Sequence, residues 1–211
     1  MRPKLKICGI TNLEDARYCA AVGADCLGFI LHPQSPRNVE PSAVREMCEW
    51  LVGVDTVGVF VDVSAEVVNE VALDCGFAFV QLHGDESPEY CCRIDVPVIK
   101  AFRVADSAHA SELWSAAASY EGVADYFLFD TYSTEARGGT GQTFDWSILD
   151  GYPFRTPFFL SGGISAGNVI EAVTIARPFA IDVSSSIEVS PGKKDLDRLA
   201  AFLEAFDGLS I

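Results

Sequence analysis

Two segments in the C-terminal part of the chain decide the fold, Pro157-Phe-Phe-Leu-Ser-Gly-Gly-Ile164 and Phe179-Ala-Ile-Asp-Val-Ser-Ser185. Each is an apolar run long enough for one buried β-strand, each closes on two small residues, and a helix-like stretch follows each. Small residues at strand ends let backbone N–H groups approach an anion, and the loops after the last two strands of a (β/α)8 barrel recurrently form a phosphate site. The candidate phosphate-binding residues are therefore Gly162, Gly163, Ser184 and Ser185. A Gly-Gly pair alone also fits an ordinary tight turn, so this prediction depends on the rest of the chain.

The rest of the chain repeats the same alternation of an apolar, β-rich run and an amphipathic stretch. Strand candidates lie at residues 4–10, 24–31, 55–62, 77–83, 96–104, 124–131, 156–161 and 179–184. Helical patterns lie at residues 13–22, 42–51, 65–75, 168–176 and 194–206, among eight helical stretches in all. Nearly continuous apolar strands alternating with helices are typical of a parallel sheet covered by helices. Eight such units in 211 residues favour closure, so the sequence predicts one α/β domain over residues 1–211, a (β/α)8 TIM barrel.

Composition and charge exclude several classes of function. The formal net charge of −15 argues against nucleic acid or an anionic membrane as a partner. No apolar stretch approaches the roughly 18 residues of a membrane span, and the first strand begins too early for a signal peptide to be expected. Seven cysteines without a C-x-x-C pair are typical of reduced thiols, so we expect a cytoplasmic protein. The three histidines have no zinc-ligand spacing, so no metal site is expected.

Polar residues that end the predicted strands are the candidates for chemistry, because barrel active sites form at the carboxyl ends of the strands. These candidates are Cys8, Gln81, His83, Asp130 and Asp182, with Arg37 in the loop after the second strand. Structural interpretations stay open for each of them. Cys8 is also consistent with an inert buried thiol, and Asp130 with a helix cap. His83 is also consistent with a hydrogen-bonded structural residue, and Arg37 with a solvated loop charge.

Several motifs in the chain resemble those of the phosphoribosylanthranilate isomerase family, single-domain (β/α)8 enzymes of tryptophan biosynthesis. The matching motifs are Lys6-Ile-Cys-Gly-Ile-Thr11, Ser35-Pro-Arg37, Val57-Gly-Val-Phe-Val61, Val80-Gln-Leu-His-Gly84, Gly138-Gly-Thr-Gly141, Phe144-Asp-Trp146, Ser161-Gly-Gly-Ile164, Asp182-Val-Ser-Ser185 and Gly192-Lys-Lys-Asp195. They span nearly the whole chain in the family's order. One departure is Ser186, which stands where the family usually has glycine after the serine pair.

This resemblance implies an activity and a set of residue roles. The implied reaction is the Amadori rearrangement of N-(5-phosphoribosyl)anthranilate to the 1-deoxyribulose 5-phosphate, with Cys8 as general base and Asp130 as general acid. Arg37 is implied to pair with the anthranilate carboxylate, and the two small-residue loops to hold the phosphate. Gln81, His83 and Asp182 are expected within reach of the substrate. No cofactor is implied, and the partner is a small phosphorylated molecule bound by a monomer or homodimer.

A glycine-rich segment after the sixth strand is a candidate lid over the substrate, with Gly138, Gly139 and Gly141 as its flexible positions. Other phosphate-binding barrels are the alternative functions. Sugar-phosphate epimerases need metal-ligand histidines that the chain lacks, and an indole-glycerol-phosphate synthase needs a lysine and a glutamate at strand ends, for which Lys100 and Glu188 are too scattered. A catalytically silent barrel that binds a phosphometabolite is a further alternative, against which the pair Cys8 and Asp130 argues.

Overall fold

The computed structural model describes residues 2–105, 110–131 and 143–209. Eight strands form a closed barrel in chain order, and each strand is parallel to its neighbours. The strands are β1 Lys4–Cys8, β2 Cys26–Ile30, β3 Asp55–Phe60, β4 Phe79–Leu82, β5 Val98–Val104, β6 Tyr126–Thr131, β7 Phe158–Leu160 and β8 Ala180–Val183. The predicted (β/α)8 barrel is confirmed. Most strands are shorter than the apolar runs that predicted them, because the outer residues of each run leave the ladder to begin or end a loop.

The helices cover the outside of the barrel. They are α1 Leu13–Ala21, α2 Pro41–Cys48, α3 Ala65–Cys75, α4 Pro88–Cys91, α5 Ala110–Ala118, α6 Val169–Ala176 and α7 Leu196–Asp207. The prediction of eight helical stretches is wrong for the described residues after β6, where a short 3-10 helix, Trp146–Leu149, takes the place of an α-helix. A single turn suffices there because Trp146 and Leu149 already bury their side chains in the core. Within the described ranges, no helix is both long and apolar enough to cross a membrane.

The end of the chain also differs from the prediction of a helix at 194–206. Lys194 lies in a short antiparallel hairpin formed by β9 Glu188–Ser190 and β10 Lys193–Lys194. Helix α7 begins only at Leu196, because the side chain of Asp195 accepts hydrogen bonds from the backbone N–H groups of residues 197 and 198 and caps the helix. The hairpin is joined to the loop after β1 by a hydrogen bond from the Thr11 hydroxyl to the Gly192 carbonyl oxygen.

Side-chain alternation along the strands separates two cores. A small cluster inside the barrel includes Val57, Leu128 and Phe159, whereas a much larger cluster packs the strands against the helices. On β6, Leu128 belongs to the inner cluster and Phe129 to the outer one, so Asp130 points inward like Leu128. On β4, Phe79 packs against the inner cluster, so residues 81 and 83 follow it toward the barrel interior. Because side chains alternate along each strand, the polar residues at the last positions of these strands face the barrel interior and line it together.

Candidate active site

Lys6 and Asp182 form a buried ion pair inside the barrel. Lys6 Nζ lies 2.9 Å from Asp182 Oδ1, and the Lys6 side chain has no exposed surface. Ser161 donates a longer hydrogen bond of 3.5 Å to the other carboxylate oxygen, Asp182 Oδ2. Burial by itself would lower the pKa of the Lys6 ammonium group, but the charges and hydrogen bonds of Asp182 and Cys8 together outweigh it and raise that pKa. Lys6 is therefore a fixed cation deep in the barrel.

Cys8 ends β1 directly above this pair. Its side chain is buried and within hydrogen-bonding reach of the Lys6 ammonium group. Gly28 on the neighbouring strand β2 makes the space, since a Cβ there would come within 2.7 Å of Cys8 Sγ. Burial raises the pKa of the Cys8 thiol, and Lys6 opposes that rise because a nearby cation stabilises the thiolate. The pKa of the Cys8 thiol nevertheless stays above its ordinary value.

Asp130 forms the end of a polar chain on the opposite wall. His83 Nε2 lies 3.4 Å from Asp130 Oδ2, and Gln81 Nε2 lies 2.8 Å from His83 Nδ1. Gln81 is almost fully buried, whereas 17% of the Asp130 side chain is exposed. The negative charge of Asp130 acts on Asp182 across the lumen, so the two walls share one electrostatic environment. The structure therefore brings five of the candidate residues together: Cys8, Gln81, His83, Asp130 and Asp182.

Arg37 belongs to a second cluster at the rim. Its Nε and Nη2 donate to both carboxylate oxygens of Glu188, with Nη2 2.7 Å from Glu188 Oε2, and Arg37 is 7% exposed. Lys194 Nζ lies 3.0 Å from Glu188 Oε1 and donates to the carbonyl oxygen of Cys8 at 2.6 Å. Burial alone would raise the pKa of the Glu188 carboxyl group, but Arg37 and Lys194 outweigh it and hold that pKa below its usual range. Among the described residues, no acceptor faces Arg37 Nη1, so one edge of the guanidinium group is open to a ligand.

Sequence reasoning missed the part that Glu188 and Lys194 play at this rim. Both lie in the β9–β10 hairpin, whereas the sequence alone indicates only that Glu188 and Lys100 are too scattered to form the pair that a synthase needs. Lys100 is indeed elsewhere, because it forms a separate buried pair with Glu86 at 2.7 Å behind the barrel wall. The sequence feature that could have indicated this cluster is the motif Gly192-Lys-Lys-Asp195. It follows the serine pair along the chain and contains Lys194, the second cation of the cluster.

The two predicted phosphate loops lie side by side at the ends of β7 and β8. Leu160 of β7 is in register with Ile181 of β8, so the loops that begin at Ser161 and Ser184 leave neighbouring strand ends. Gly162 and Gly163 have φ values of +84° and +68°, which favour glycine, and a Cβ on Gly162 would lie 2.4 Å from the backbone nitrogen of Thr131. Among the described residues, the N–H groups of Gly163, Ser184 and Ser185 have no hydrogen-bond acceptor. The geometry thus presents several unpaired donors to an anion.

Three further features of the sequence are the candidate lid, Ser186 and the expected absence of a metal site. The lid positions Gly138, Gly139 and Gly141 lie outside the described residues. Ser186, the departure from the family pattern, lies in a 3-10 helix, Ser185–Ile187, where its buried hydroxyl has no hydrogen-bond partner among the described residues. Within the same ranges, His, Cys, Asp and Glu side chains form no group of three or more that could hold a metal ion.

Comparison with known proteins agrees with this arrangement. A family model described as N-(5'phosphoribosyl)anthranilate (PRA) isomerase matches residues 5–205. Curated N-(5'-phosphoribosyl)anthranilate isomerases from Pelobacter propionicus and Geobacter metallireducens are 41% and 43% identical, each over 95% of this chain and over 93% and 96% of their own length. The crystal structure of phosphoribosyl anthranilate isomerase from Thermotoga maritima superposes with a TM-score of 0.89 at 40% identity, over 98% of this chain and all of the other.

The share of the chain that each match covers decides whether the similarity shows the family or only the fold. Both the family model and the relatives span nearly the entire chain, and their identities far exceed those at which only the fold is shared. By contrast, a 3-hexulose-6-phosphate synthase from Salmonella typhimurium shares the fold at 15% identity and a TM-score of 0.67. The chain belongs to the N-(5'-phosphoribosyl)anthranilate isomerase family.

Proposed function

We propose that this chain isomerises N-(5'-phosphoribosyl)anthranilate in tryptophan biosynthesis, with Cys8 as the general base and Asp130 as the general acid. Family membership over the full chain gives the isomerase activity. One observation carries the residue assignment: Asp182, which is paired with Lys6, lies close enough to both Cys8 and Asp130 for their charges to interact. A thiol and a carboxyl group thus face one lumen from β1 and β6 and are placed to flank a single substrate.

Asp130 performs the first step by donating a proton to the furanose ring oxygen. The C1–O bond then breaks, the ring opens, and the anilino nitrogen supplies the electrons for the Schiff base. His83 Nε2 lies 3.4 Å from one carboxyl oxygen, Asp130 Oδ2. Among the described residues, Asp130 Oδ1 has no partner, which leaves it to face the substrate. The donated proton ends on the C4 hydroxyl group of the open chain.

Cys8 performs the second step as the thiolate. It removes the proton from C2, and the electron pair of that C–H bond moves toward the protonated Schiff base to give an enolamine. The enolamine tautomerises to the ketone, with one proton lost from the C2 hydroxyl group and one gained at C1, so the reaction is an isomerisation. Lys6 favours the thiolate that this step requires.

Substrate binding uses the groups around this pair. The open edge of Arg37 fits the planar anthranilate carboxylate, and Glu188 fixes the guanidinium group in place. The unpaired N–H groups of the loops at Gly163 and Ser184 fit the phosphate. Gln81 Oε1 is buried without a partner among the described residues and is placed to accept a hydrogen bond from a sugar hydroxyl group. A solved relative contains reduced 1-(o-carboxyphenylamino)-1-deoxyribulose 5-phosphate, which carries all three kinds of group.

Turnover of two variants tests the assignment. Cys8→Ser and Asp130→Asn each remove one proton-transfer group with little change in shape, so each should lower kcat by roughly 10²–10⁴-fold with a smaller effect on KM. Matched controls are Cys19→Ser, a buried thiol on α1, and Asp125→Asn, whose carboxylate accepts from Val98 N at the other end of β6. Near wild-type kcat in both folded site variants would show that other groups carry out the chemistry. The fluorescence decay of freshly made substrate is the readout.

The proposal also covers the cellular location and the oligomeric state of the protein. All seven cysteines are free, which is consistent with a cytoplasmic enzyme. We propose a homodimer, because one solved structure is of monomers generated from the dimeric isomerase of Thermotoga maritima and because Trp50 and Val52 leave 66% and 91% of their surface exposed. Light scattering at several concentrations measures the mass, and Trp50→Ser should favour the monomer. A monomeric wild-type protein at all concentrations would overturn the dimer.

A further inference from the structure

Gln81 is not explained by packing. It is 2% exposed, it lies on β4 with its side chain toward the barrel interior, and its Oε1 has no hydrogen-bond partner among the described residues. A leucine would fill a similar volume without leaving a buried oxygen unpaired. An amide at this position therefore points to a role for its one observed contact, the 2.8 Å approach of Nε2 to His83 Nδ1.

That contact determines which nitrogen of His83 carries the proton. The amide nitrogen of Gln81 can only donate, so Nδ1 of His83 must accept, and the proton of the neutral ring then lies on Nε2. Nε2 faces Asp130 Oδ2 at 3.4 Å. A doubly protonated ring would place an N–H group against the amide N–H group, which disfavours the charged imidazolium next to Asp130.

The groups around His83 do not impose this tautomer by themselves. Two carboxylates face the ring: Asp130 on β6, whose Oδ2 lies 3.4 Å from Nε2, and Asp182 on β8, whose charge also interacts with His83. Arg103 on β5 donates to the His83 carbonyl oxygen at 2.9 Å, so it holds the backbone without touching the ring nitrogens. Lys100, which is also on β5, donates to the carbonyl oxygen of Gly84 and forms an ion pair with Glu86. Gln81 is therefore the group that opposes protonation at Nδ1.

We propose that Gln81 is a positioning residue that keeps His83 neutral with its proton on Nε2, so that the imidazole ring holds Asp130 but does not take its proton. In the opposite tautomer, an Nε2 lone pair would face Asp130 and compete with the substrate ring oxygen for the acidic proton. The inference deepens the proposed function and rests on Asp130 being the general acid. It assigns to Gln81 a role in the acid step that is separate from substrate binding.

Gln81→Glu is the decisive variant. A carboxylate opposite Nδ1 favours the Nδ1–H form and the imidazolium, which turns Asp130 into a paired carboxylate without a proton to donate. We expect kcat to fall by roughly 10–10²-fold with a smaller change in KM, which is less than the roughly 10²–10⁴-fold loss expected when the acid itself is removed. At high pH, kcat falls because the general acid loses its proton, and this fall should occur at lower pH in the variant. Gln81→Met keeps the volume without a hydrogen bond, so it should allow both tautomers and lose less activity.

Nitrogen-15 NMR of the histidine rings in the free protein reads the tautomer directly. The chain has three histidines, so His83→Asn identifies the signals of residue 83. Wild-type protein should show a protonated Nε2 and an unprotonated Nδ1, and Gln81→Glu should show a protonated Nδ1. Gln34→Glu, on an exposed loop, adds the same charge and should change neither spectrum nor rate.

The role of Gln81 and the role of Asp130 as the general acid are tested by different results. A protonated Nδ1 in the wild-type protein, or the same ring spectrum in wild type, Gln81→Glu and Gln81→Met, would overturn the role of Gln81. If Gln81→Glu does not fold, the Gln81→Met spectrum still decides, because a single unchanged Nε2–H form there would mean that the amide does not set the tautomer. Near wild-type turnover of Asp130→Asn would instead remove Asp130 as the acid, while the NMR measurement would still report on Gln81.

Discussion

Arg37 and Glu188, which lie 151 positions apart in the sequence, form a bidentate buried ion pair at the rim of the barrel. Lys194 binds the same carboxylate, so two cations face one anion beside the proposed anthranilate site. An incoming carboxylate would restore a one-to-one balance of charge. The pair thus both orients the guanidinium group and leaves it one positive charge in excess for a ligand.

Arg37→Lys should weaken binding of the aryl carboxylate at least tenfold. Lysine keeps the charge but has no planar fork, so it cannot hold Glu188 with two hydrogen bonds and also present an edge to the ligand. Calorimetric titration with the reduced product measures the affinity. Ribulose 5-phosphate, which lacks the anthranilate group, should bind equally to both proteins. Arg45→Lys, in an exposed pair with Asp74, is the control. An equal loss for both ligands would contradict the carboxylate role of Arg37.

Glu188→Gln should remove part of the acid sensitivity of the fold. The pKa of this carboxyl group is lower in the folded protein than its ordinary value, so its ionised form stabilises the fold above the unfolded pKa. That stability is lost as the pH falls through the lowered folded pKa. At pH 7 the variant should lose roughly 3–5 kcal/mol of unfolding free energy, because Arg37 and Lys194 stay buried without their partner.

Urea unfolding at a series of pH values measures this effect. The free energies of wild type and Glu188→Gln should converge at acid pH, where the wild-type carboxyl group is itself protonated. Asp74→Asn removes an exposed carboxylate and should be close to neutral throughout. Parallel curves for wild type and Glu188→Gln would show that the rim cluster does not contribute to acid unfolding.

Gly163→Ala should raise KM far more than it lowers stability. Alanine at a φ of +68° costs roughly 1–2 kcal/mol and adds a methyl group where the phosphate is proposed to lie. Gly76→Ala is a matched control, because Gly76 has a φ of +66° with no atom within 4 Å of an added Cβ. Both variants should show a similar fall in unfolding free energy, and only the first should show a large rise in KM. Equal KM values would place the phosphate elsewhere.

At low pH the rate falls because the Cys8 thiolate becomes protonated, and this fall is the acid limb of the pH–rate profile. Lys6→Met should shift this limb to higher pH. Burial already raises the pKa of the Cys8 thiol, and Lys6 is the cation that opposes this rise. Without Lys6 the thiolate is less stable, so the pKa of the Cys8 thiol rises further and the limb should move to higher pH.

The double variant Lys6→Met/Asp182→Asn controls for the unpaired buried carboxylate. It removes both charges, so it should be more stable than the single variant, and its acid limb should lie between those of the single variant and the wild type. Thermal unfolding and kcat/KM against pH are the two measurements. An unmoved limb in the folded single variant would mean that Lys6 does not stabilise the thiolate.

Local sequence information sufficed for all eight strands, but not for every helix or for the ends of the elements. All eight strands appear in order where apolar β-rich runs predicted them, because burial on both faces of a parallel strand leaves a continuous hydrophobic signal. Helix α3 matches its predicted bounds, residues 65–75, since Gly76 in the left-handed conformation ends it. Residues 194–195 were assigned to the last helix wrongly, because a pairing of Lys194 with Glu188 on a neighbouring segment overrides local helix preference.

The sequence by itself determined the barrel, the edge at which the polar residues gather, and the family. Period-two alternation already places residues 81 and 83 on one face of β4, and the parallel topology already brings all strand ends to one rim. Only the tertiary structure decided which groups are partners there: Glu188 holds Arg37, Lys6 lies against Asp182, and Gln81 binds the ring of His83. The first two pairings join residues 151 and 176 positions apart, and the third depends on which atoms of two neighbouring side chains face each other. Closure of the barrel fixes such distances, and no periodicity along the chain encodes them.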